Sequence, residues 1–379
     1  VATIAAIFLY LIVYFAMPPL TLPRRGVAFF IIFVVIFTLI WRYVYVRLFQ
    51  AASRSRRALI IGAGKAGSTL VNVIADKNPP PFNLIGLIDD DPEKLGSTIR
   101  DYEVLGDHTQ LFNIIDQRGI TDLILAISGP IKHGMFQNLL MAQEQGLEIS
   151  TMQEVYESLL GRVPINLLDS EWVIRSFVSH TPNGGFYRLF KRLMDLAISL
   201  VGLVFLVGLF PIIAVIILID SGKPVIYSQE RLGRGGVPYR IYKFRTMKTT
   251  KDMDKEALVT STNDPRVTRA GRFLRKVHLD ELPQVINVLM GDMSWVGPRS
   301  ERSELVEIFQ NVVPFYRARM LVKPGVTGWA QINQPYAETV EETAIKLEYD
   351  LYYIEHANIL MDITILLRTF GAVLGFKGR

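Results

Sequence analysis

Asp280 and Glu281 stand side by side in GRFLRKVHLDELPQ, Gly271 to Gln284, with Arg272, Arg275 and Lys276 just upstream. Carboxylates next to cations are the groups that handle a phosphorylated substrate or a hard cation such as magnesium. Pro283 suits the first position of a helix that carries Val285, Ile286, Val288 and Leu289 and stops at Gly291. The two acids then lie at that helix's N-terminus, where the positive end of the dipole favours carboxylate and phosphate alike. Inside a helix adjacent side chains diverge by about 100 degrees, but residues just ahead of it escape that constraint. Ordinary capping acids look the same, so the pair alone does not define a reaction.

Between Lys223 and Lys276 there are 14 Lys or Arg against 5 Asp or Glu, a surplus of +9 in a chain whose net charge is +5. The stretch contains a Gly-rich basic loop, QERLGRGG (Gln229 to Gly236), and an alternating strand pattern, YRIYKFRTM (Tyr239 to Met247). Cations with loop amides suit a polyphosphate. A solvated face or a surface for anionic headgroups has the same composition. The 379-residue chain has no cysteine, which removes disulfides, thiolate nucleophiles, iron–sulfur clusters and the common structural zinc sites. Its five histidines are scattered, so catalytic zinc is not expected. Half the residues are hydrophobic and 20% are charged, where soluble domains carry about a quarter charged. A membrane and an anionic partner are expected together, and nucleic acid is not.

The sequence also marks the elements that must position these groups. Val1 to Met17 is uncharged, and so is Gly26 to Trp41, which continues as aromatic and β-branched sequence to Val46. About 17 to 25 apolar residues span a bilayer, so residues 1–50 are expected to form a transmembrane hairpin turning at Pro18-Pro19 and Pro23 to Gly26. A start at Val1 without a basic leader or cleavage site excludes a signal peptide and reads as a fragment of a larger bundle. Arg42, Arg47, Arg54, Arg56 and Arg57 follow the second helix, against Arg24 and Arg25 in the connection, which places the following chain in the cytoplasm. A third run, Leu196 to Ile219, holds 24 uncharged residues. Pro211 lies inside it, and a full crossing would put the next domain on the opposite side. Both arguments favour a broken, re-entrant helix over 191–219.

Ala58 to Ile61 has a buried-strand pattern and leads into Gly62-Ala63-Gly64-Lys65-Ala66-Gly67, then an apolar helical stretch to Ile74. Leu84 to Ile88 reads as a second strand ending at Asp89, where a dinucleotide fold keeps its ribose-binding acid. Helical patterns at Asp107 to Asp116 and Gly134 to Glu144 alternate with strands at Leu123 to Ile127 and Leu147 to Ile149. The expectation is a Rossmann-like, doubly wound α/β domain over 55–150. Gly62, Gly64, Gly67 and Asp89 are its candidate nucleotide site. The same glycines would equally make a tight turn in a sensor, a homodimerisation unit or an empty scaffold.

From about Tyr187 onward the ordered motifs KRLMD, QERLG, YKFRTM, DPRVTRAGRFLRK, LDELPQVINVLMGDMSWVGPR and KPGVTGWAQIN resemble the bacterial polyprenyl-phosphate sugar-1-phosphate transferases, the monotopic phosphoglycosyl transferases. The preceding helices and Rossmann-like domain look like the long members of that group, which usually carry four N-terminal helices where two are seen here. The resemblance implies a 151–186 linker and a membrane-associated α+β catalytic domain over 187–379. It implies transfer of sugar-1-phosphate from a UDP-sugar to undecaprenyl phosphate with release of UMP, at the cytoplasmic face of the bacterial inner membrane, as the first membrane step of a surface polysaccharide. It implies Asp280 as nucleophile at the β-phosphorus and as the magnesium contact, with Glu281 positioning or deprotonating. Matching positions imply substrate contacts from Lys243 and Arg245 in the KF(R/K)TM strand, Arg275 toward the polyprenyl phosphate, Arg299 in the GPRP segment, and Asp350 before paired tyrosines. Two departures stand out: Phe210-Pro211 replaces the family's Ser-Pro break, and Ser300 replaces the last proline of GPRP. The segments Val285 to Met290 and Ile359 to Phe370 are amphipathic and suit either a membrane interface or a core.

The rival reading is a membrane-anchored nucleotide-sugar dehydratase using NAD, because Tyr239 and Lys243 have its YxxxK spacing. A second glycine fingerprint is missing, and the pair falls in a strand pattern, where i and i+4 share a face but stand far apart. A non-enzymatic anchored sensor is less favoured because both acids of the dyad are in place.

Overall fold

The structure, a computed structural model, describes residues 24–127, 129, 131–167, 184–248, 264, 266–334 and 339–374. The chain divides into two compact units, Val1–Met152 and Gln153–Arg379. In the first, helix α1 (Arg24–Ser55) contains the whole second apolar run. Phe29, Phe33, Phe37 and Trp41 are each at least 60% exposed on it, so no described residue covers that stripe. Among the described side chains its apolar part is Ile32–Tyr45, which includes Arg42; a crossing would need that side chain to snorkel. The first arm of the expected hairpin, residues 1–23, lies outside the described residues.

The glycine fingerprint follows β1 (Arg57–Ile61) and opens α2 (Lys65–Ala75). β2 (Asn83–Ile88) comes next, then a short hairpin, β3 (Thr98–Ile99) and β4 (Tyr102–Glu103), that has no sequence signature beyond its turn. α3 (Leu111–Arg118), β5 (Asp122–Leu125), α4 (His133–Glu144) and β6 (Glu148–Thr151) complete the unit. The sheet order is β2-β1-β5-β6 and every pairing is parallel. Leu59, Ile61, Ile88, Leu111, Leu123 and Leu139 form a core under the helices, each such side chain contributing about 1.5–3 kcal/mol by burial. The expected Rossmann-like domain is therefore present as a four-stranded parallel sheet.

Residues 151–186, read from sequence as a linker, begin with α5 (Met152–Leu160). Val163 and Ile165 just beyond it are buried in the core of the second unit with Val296, Tyr316, Leu347, Leu351 and Ile365. The second unit then rests on α6 (Gly185–Ser221), 37 residues with Pro211 inside, among the described residues the one helix long and apolar enough to cross a membrane by length and composition. Proline has no N–H, so the Val207 carbonyl loses its helical partner. Helix α6 nevertheless continues on both sides.

Both ends of α6 are fastened to the same unit. Near its start, Lys191 reaches Asp362 at 2.9 Å and Tyr353 at 3.0 Å, and Asp195 accepts hydrogen bonds from Ser294 Oγ and the Trp295 N–H. Near its end, Asp220 accepts from the Ala270 N–H, and the Ser221 and Gly222 carbonyls accept from Arg245. Between them Leu206, Ile213 and Ile217 pack on Phe244 and Leu274, while Val204, Val207, Ile212 and Ile219 stay exposed.

The rest of the unit is an antiparallel hairpin, β7 (Ile226–Leu232) and β8 (Pro238–Phe244), then α7 (Arg269–Lys276) and α8 (Gln284–Met290). Strand β9 (Ser294–Val296) pairs in parallel with β10 (Gly325–Thr327). Helices α9 (Ser303–Val312), α10 (Trp329–Asn333), α11 (Val340–His356) and α12 (Ile359–Leu374) enclose the core. In the amphipathic segments read from sequence, Val285 and Val288 of α8 and Ile365 of α12 are buried, while Met290, Leu360, Leu367 and Phe370 are exposed. Each helix thus has one face in the core and an apolar face outside it.

Candidate active site

α7 starts at Thr268, whose hydroxyl accepts the Gly271 N–H at 2.9 Å, a side-chain cap of the usual kind. A Cβ at Gly271 would lie 2.2 Å from the Thr246 carbonyl oxygen, so only glycine lets α7 approach the chain leaving β8 this closely. Arg275, on the same helix, donates to Thr246 Oγ1 at 2.9 Å. The chain then turns at His278, which adopts a left-handed conformation with φ 56°, costly for a residue with a side chain. The dyad follows at once in a single 3₁₀ turn, Leu279–Glu281. Pro283, expected as the first helical residue, is instead the N-cap of α8, a one-residue shift at an element boundary.

Glu281 is gripped from two sides. Lys243 Nζ and Arg299 Nη2 each donate to its Oε1 at 2.7 Å. Burial alone would raise the Glu281 pKa, but the charges and hydrogen bonds of Arg299 and Lys243 outweigh it and hold the carboxyl far below its usual range. Asp280 is 9% exposed, and no described residue donates a hydrogen bond to it. Burial, and next the negative charge of Glu281, push its pKa up, against Lys243, Arg275 and Arg299. One acid of the dyad is thus fixed as an anion and the other is left with free lone pairs in a cationic surround. That donor set fits magnesium, which takes one or two carboxylate oxygens and completes its shell with substrate phosphates and water. Asp280 is the residue that would hold it; the Glu281 oxygen already bound by two cations is not available.

Asn287 holds the two halves of the site together. It is fully buried on α8; its Oδ1 accepts the Tyr242 N–H at 3.1 Å and its Nδ2 donates to the Arg240 carbonyl at 2.7 Å. The side-chain amide acts as a strand neighbour for β8, the strand that carries Lys243. At the other end of α8, Arg192 donates to the carbonyls of Val288 and Leu289, satisfying backbone groups that a helix terminus leaves open. A single polar residue within VINVLM was the sequence signal for Asn287; Arg192 carried none.

Three expected substrate contacts, Lys243, Arg275 and Arg299, converge on the dyad as hydrogen-bond partners of Glu281 or as positive charges around Asp280. Arg245 does not. Its guanidinium turns the other way and donates to the carbonyls of Ser221, Gly222 and Lys223, closing the end of α6. Alternation along β8 would put residues 243 and 245 on one face, but Arg245 lies past the end of the strand, and its side chain is buried with the helix end. Asp350 is also removed from the dyad: it is 1% exposed and accepts from Arg319 at 2.7 Å, and Arg319 in turn donates to the Arg299 carbonyl at 3.0 Å. Tyr239, the other half of the YxxxK spacing, donates to Ser300 Oγ, while Lys243 is committed to Glu281, so the two do not form a catalytic pair.

In the first unit Gly62 and Gly67 are required by contact, whereas a Cβ at Gly64 would meet nothing within 4 Å. Gly62 has φ 110°, and a Cβ at Gly67 would lie 2.0 Å from the Gly62 carbonyl oxygen. Asp89 stands beside this loop as expected, but its Oδ2 accepts the Ala63 N–H at 2.7 Å and pairs with Lys94 at 3.2 Å. Burial works against its charge, yet the hydrogen bonds from Ala63, Asp91 and Lys94 prevail and lower its pKa.

The bacterial sugar transferase family matches residues 186–376, and a CoA-binding domain family matches residues 2–130. The N-acetylgalactosaminephosphotransferase of Aeromonas hydrophila, which by its name uses UDP-N-acetylgalactosamine and undecaprenyl phosphate, is 38% identical over 229 residues, 60% of this chain and 53% of that protein. The UDP-glucose:undecaprenyl-phosphate glucose-1-phosphate transferase of Escherichia coli is 41% identical over 200 residues, 52% of this chain and 42% of that one. The chain thus spans about half the length of these relatives. An exopolysaccharide production protein of Rhizobium leguminosarum is 36% identical over 189 residues, 48% of this chain and 93% of that protein. The match to half of the chain, falling on the unit that holds the dyad, means that this chain belongs to the bacterial sugar transferases.

Proposed function

We propose that the chain transfers sugar-1-phosphate from a UDP-sugar to a polyprenyl phosphate, releasing UMP, at the cytoplasmic face of a bacterial inner membrane. The observation that carries this reading is the division of labour in the dyad: Glu281 is locked by Lys243 and Arg299, and the adjacent Asp280 is left without a donor among the described residues. An Asp280 oxygen attacks the β-phosphorus, the bond from that phosphorus to the bridging oxygen breaks, and the electron pair leaves with UMP. An oxygen of the polyprenyl phosphate then attacks the same phosphorus and frees the aspartate. Glu281, held as an anion by two cations, positions Lys243 and Arg299 rather than acting as a base. Magnesium, when bound at Asp280, supplies charge neutralisation for the diphosphate and the departing UMP. Arg275 is assigned to the lipid phosphate, and Arg299 and Lys243 to the diphosphate, while Arg245 and Asp350 act by holding the helix end and Arg319.

The packing of Leu206, Ile213 and Ile217 on Phe244 and Leu274, with both α6 ends fastened to the same unit, supports re-entrance, since the middle of a span would be set in about 30 Å of hydrocarbon. The relatives' names support the lipid and nucleotide-sugar substrates, and the exposed apolar faces of α8 and α12 support seating at the headgroup plane. In the first unit the Gly62 to Gly67 loop is the place for an anionic ligand, for which Asp89 would have to release the Ala63 N–H. The test is UMP release from UDP-sugars with polyprenyl phosphate and magnesium: Asp280→Asn should lower it by about 10³-fold or more, and full activity in that variant would sink the nucleophile assignment.

A further inference from the structure

A cavity of about 20 Å³ opens beside the dyad, between β8, the start of α8 and the chain after β9, with Arg231, Lys243, Gln284, Arg299 and Ser300 in its lining. Its polar groups are unevenly matched. Lys243 and Arg299 have Glu281, and Ser300 Oγ accepts from Tyr239. Arg231 gives its Nη groups to the Ser300 carbonyl and Gln229. Two buried nitrogens in the lining have no acceptor among the described residues: Nε of Arg231 and Nε2 of Gln284. Gln284 is 2% exposed, and no hydrogen bond of any kind is made by its side-chain amide within the described residues. A buried amide left unpaired is rare in a folded protein and marks either strain or a place where a ligand atom belongs.

The unmatched groups are all donors, so the missing partner is an acceptor, and the three cations of the lining, which share only Glu281 and Glu301, favour one with negative charge. The volume admits one or two oxygen atoms and excludes a pyrimidine or a sugar ring. We propose that this cavity is a phosphoryl-oxygen subsite for the diphosphate of the nucleotide sugar, with Gln284 and Arg231 as its donors. The inference rests on the transferase reading. It selects the soluble substrate over the lipid phosphate because Lys243 and Arg299 line the cavity and Arg275 does not. A group whose hydrogen bond is made only with substrate costs the free enzyme stability, and this separates a binding role from a structural one.

The experiment compares wild type with Gln284→Met, which keeps the length of the side chain and removes the donor, in UMP-release kinetics and in thermal unfolding in detergent. The expected result is a KM for the UDP-sugar raised about tenfold, a KM for polyprenyl phosphate within twofold, and a melting temperature equal to or above that of wild type. Gln284→Glu should raise the UDP-sugar KM further, because it sets a carboxylate against a phosphate. An unchanged UDP-sugar KM, a rise confined to the polyprenyl phosphate, or a variant that melts lower or fails to fold would each overturn the assignment. Absence of UMP release by wild type with every UDP-sugar tried would instead remove the transferase reading itself.

Discussion

The glycine loop of the first unit and the dyad turn of the second both place an aspartate at a bend in the backbone, with opposite outcomes. Asp89 is satisfied by its own neighbourhood, through Ala63, Asp91 and Lys94, and ends with a lowered pKa. At the dyad the cations come from far along the chain, Lys243 from a strand and Arg299 from the segment after β9, and both go to Glu281. Asp280 is buried next to that anion without a donor among the described residues. A closed acid is an element of the fold, whereas an open acid beside a closed one is prepared for an incoming phosphorus or metal.

The contrast can be attacked first at its strongest contact. Lys243→Met leaves Glu281 buried with one cation instead of two, and breaking a buried ion pair costs about 3 kcal/mol. UMP release should fall about 100-fold and the melting temperature should drop; wild-type kinetics would mean that Glu281 does not need to be locked. Next, Asn287→Leu leaves the Tyr242 N–H and the Arg240 carbonyl unpaired against α8. About 2 kcal/mol of stability should be lost in urea unfolding, and a neutral result would remove Asn287 as the tie between dyad helix and Lys243 strand.

A third buried acid sharpens the comparison. Glu348 lies 3.2 Å from Arg162 Nε and 3.3 Å from the Tyr156 hydroxyl, yet burial outweighs Arg162 and pushes its pKa up to about 7. The folded chain then binds more protons than the unfolded chain between the ordinary carboxylate range and pH 7, so stability falls as pH rises through that window. Thermal unfolding at pH 5 and pH 8 should show a difference on the order of 1–3 kcal/mol that Glu348→Gln removes; an unaltered slope in the variant would show that Glu348 is ionised throughout. The smallest effect is expected at Asp89→Ala. Losing its bonds to a partly exposed loop should cost about 1 kcal/mol, seen as faster amide exchange at residues 62–67, and unchanged exchange there would mean that Asp89 does not close the loop.

Much of this was legible in the chain. The strands at Ala58 to Ile61 and Leu84 to Ile88 were marked by continuous apolar runs ending at Gly or Asp, and the fingerprint glycines were marked by spacing. The apolar run ending at Ile219, the basic stretch and the dyad were local in sequence, and local composition is what periodicity and motifs record. The two-residue strands β3 and β4 were not legible, because pairs that short are held by a turn rather than by a pattern.

What the sequence by itself determined is which groups exist and which are neighbours along the chain: two adjacent acids, a basic run, a long apolar segment containing Pro211. Only the tertiary structure decided how the positive charges were shared out. It sent Arg245 to the end of α6, Asp350 to Arg319, and Lys243 with Arg299 to Glu281. It also left Gln284 without a partner among the described residues and fastened both ends of α6 to one unit. Ion pairs and hydrogen bonds act over a few ångströms, and residues tens of positions apart reach that range only when strands and helices pack, so pairing is a property of the fold and not of the motif.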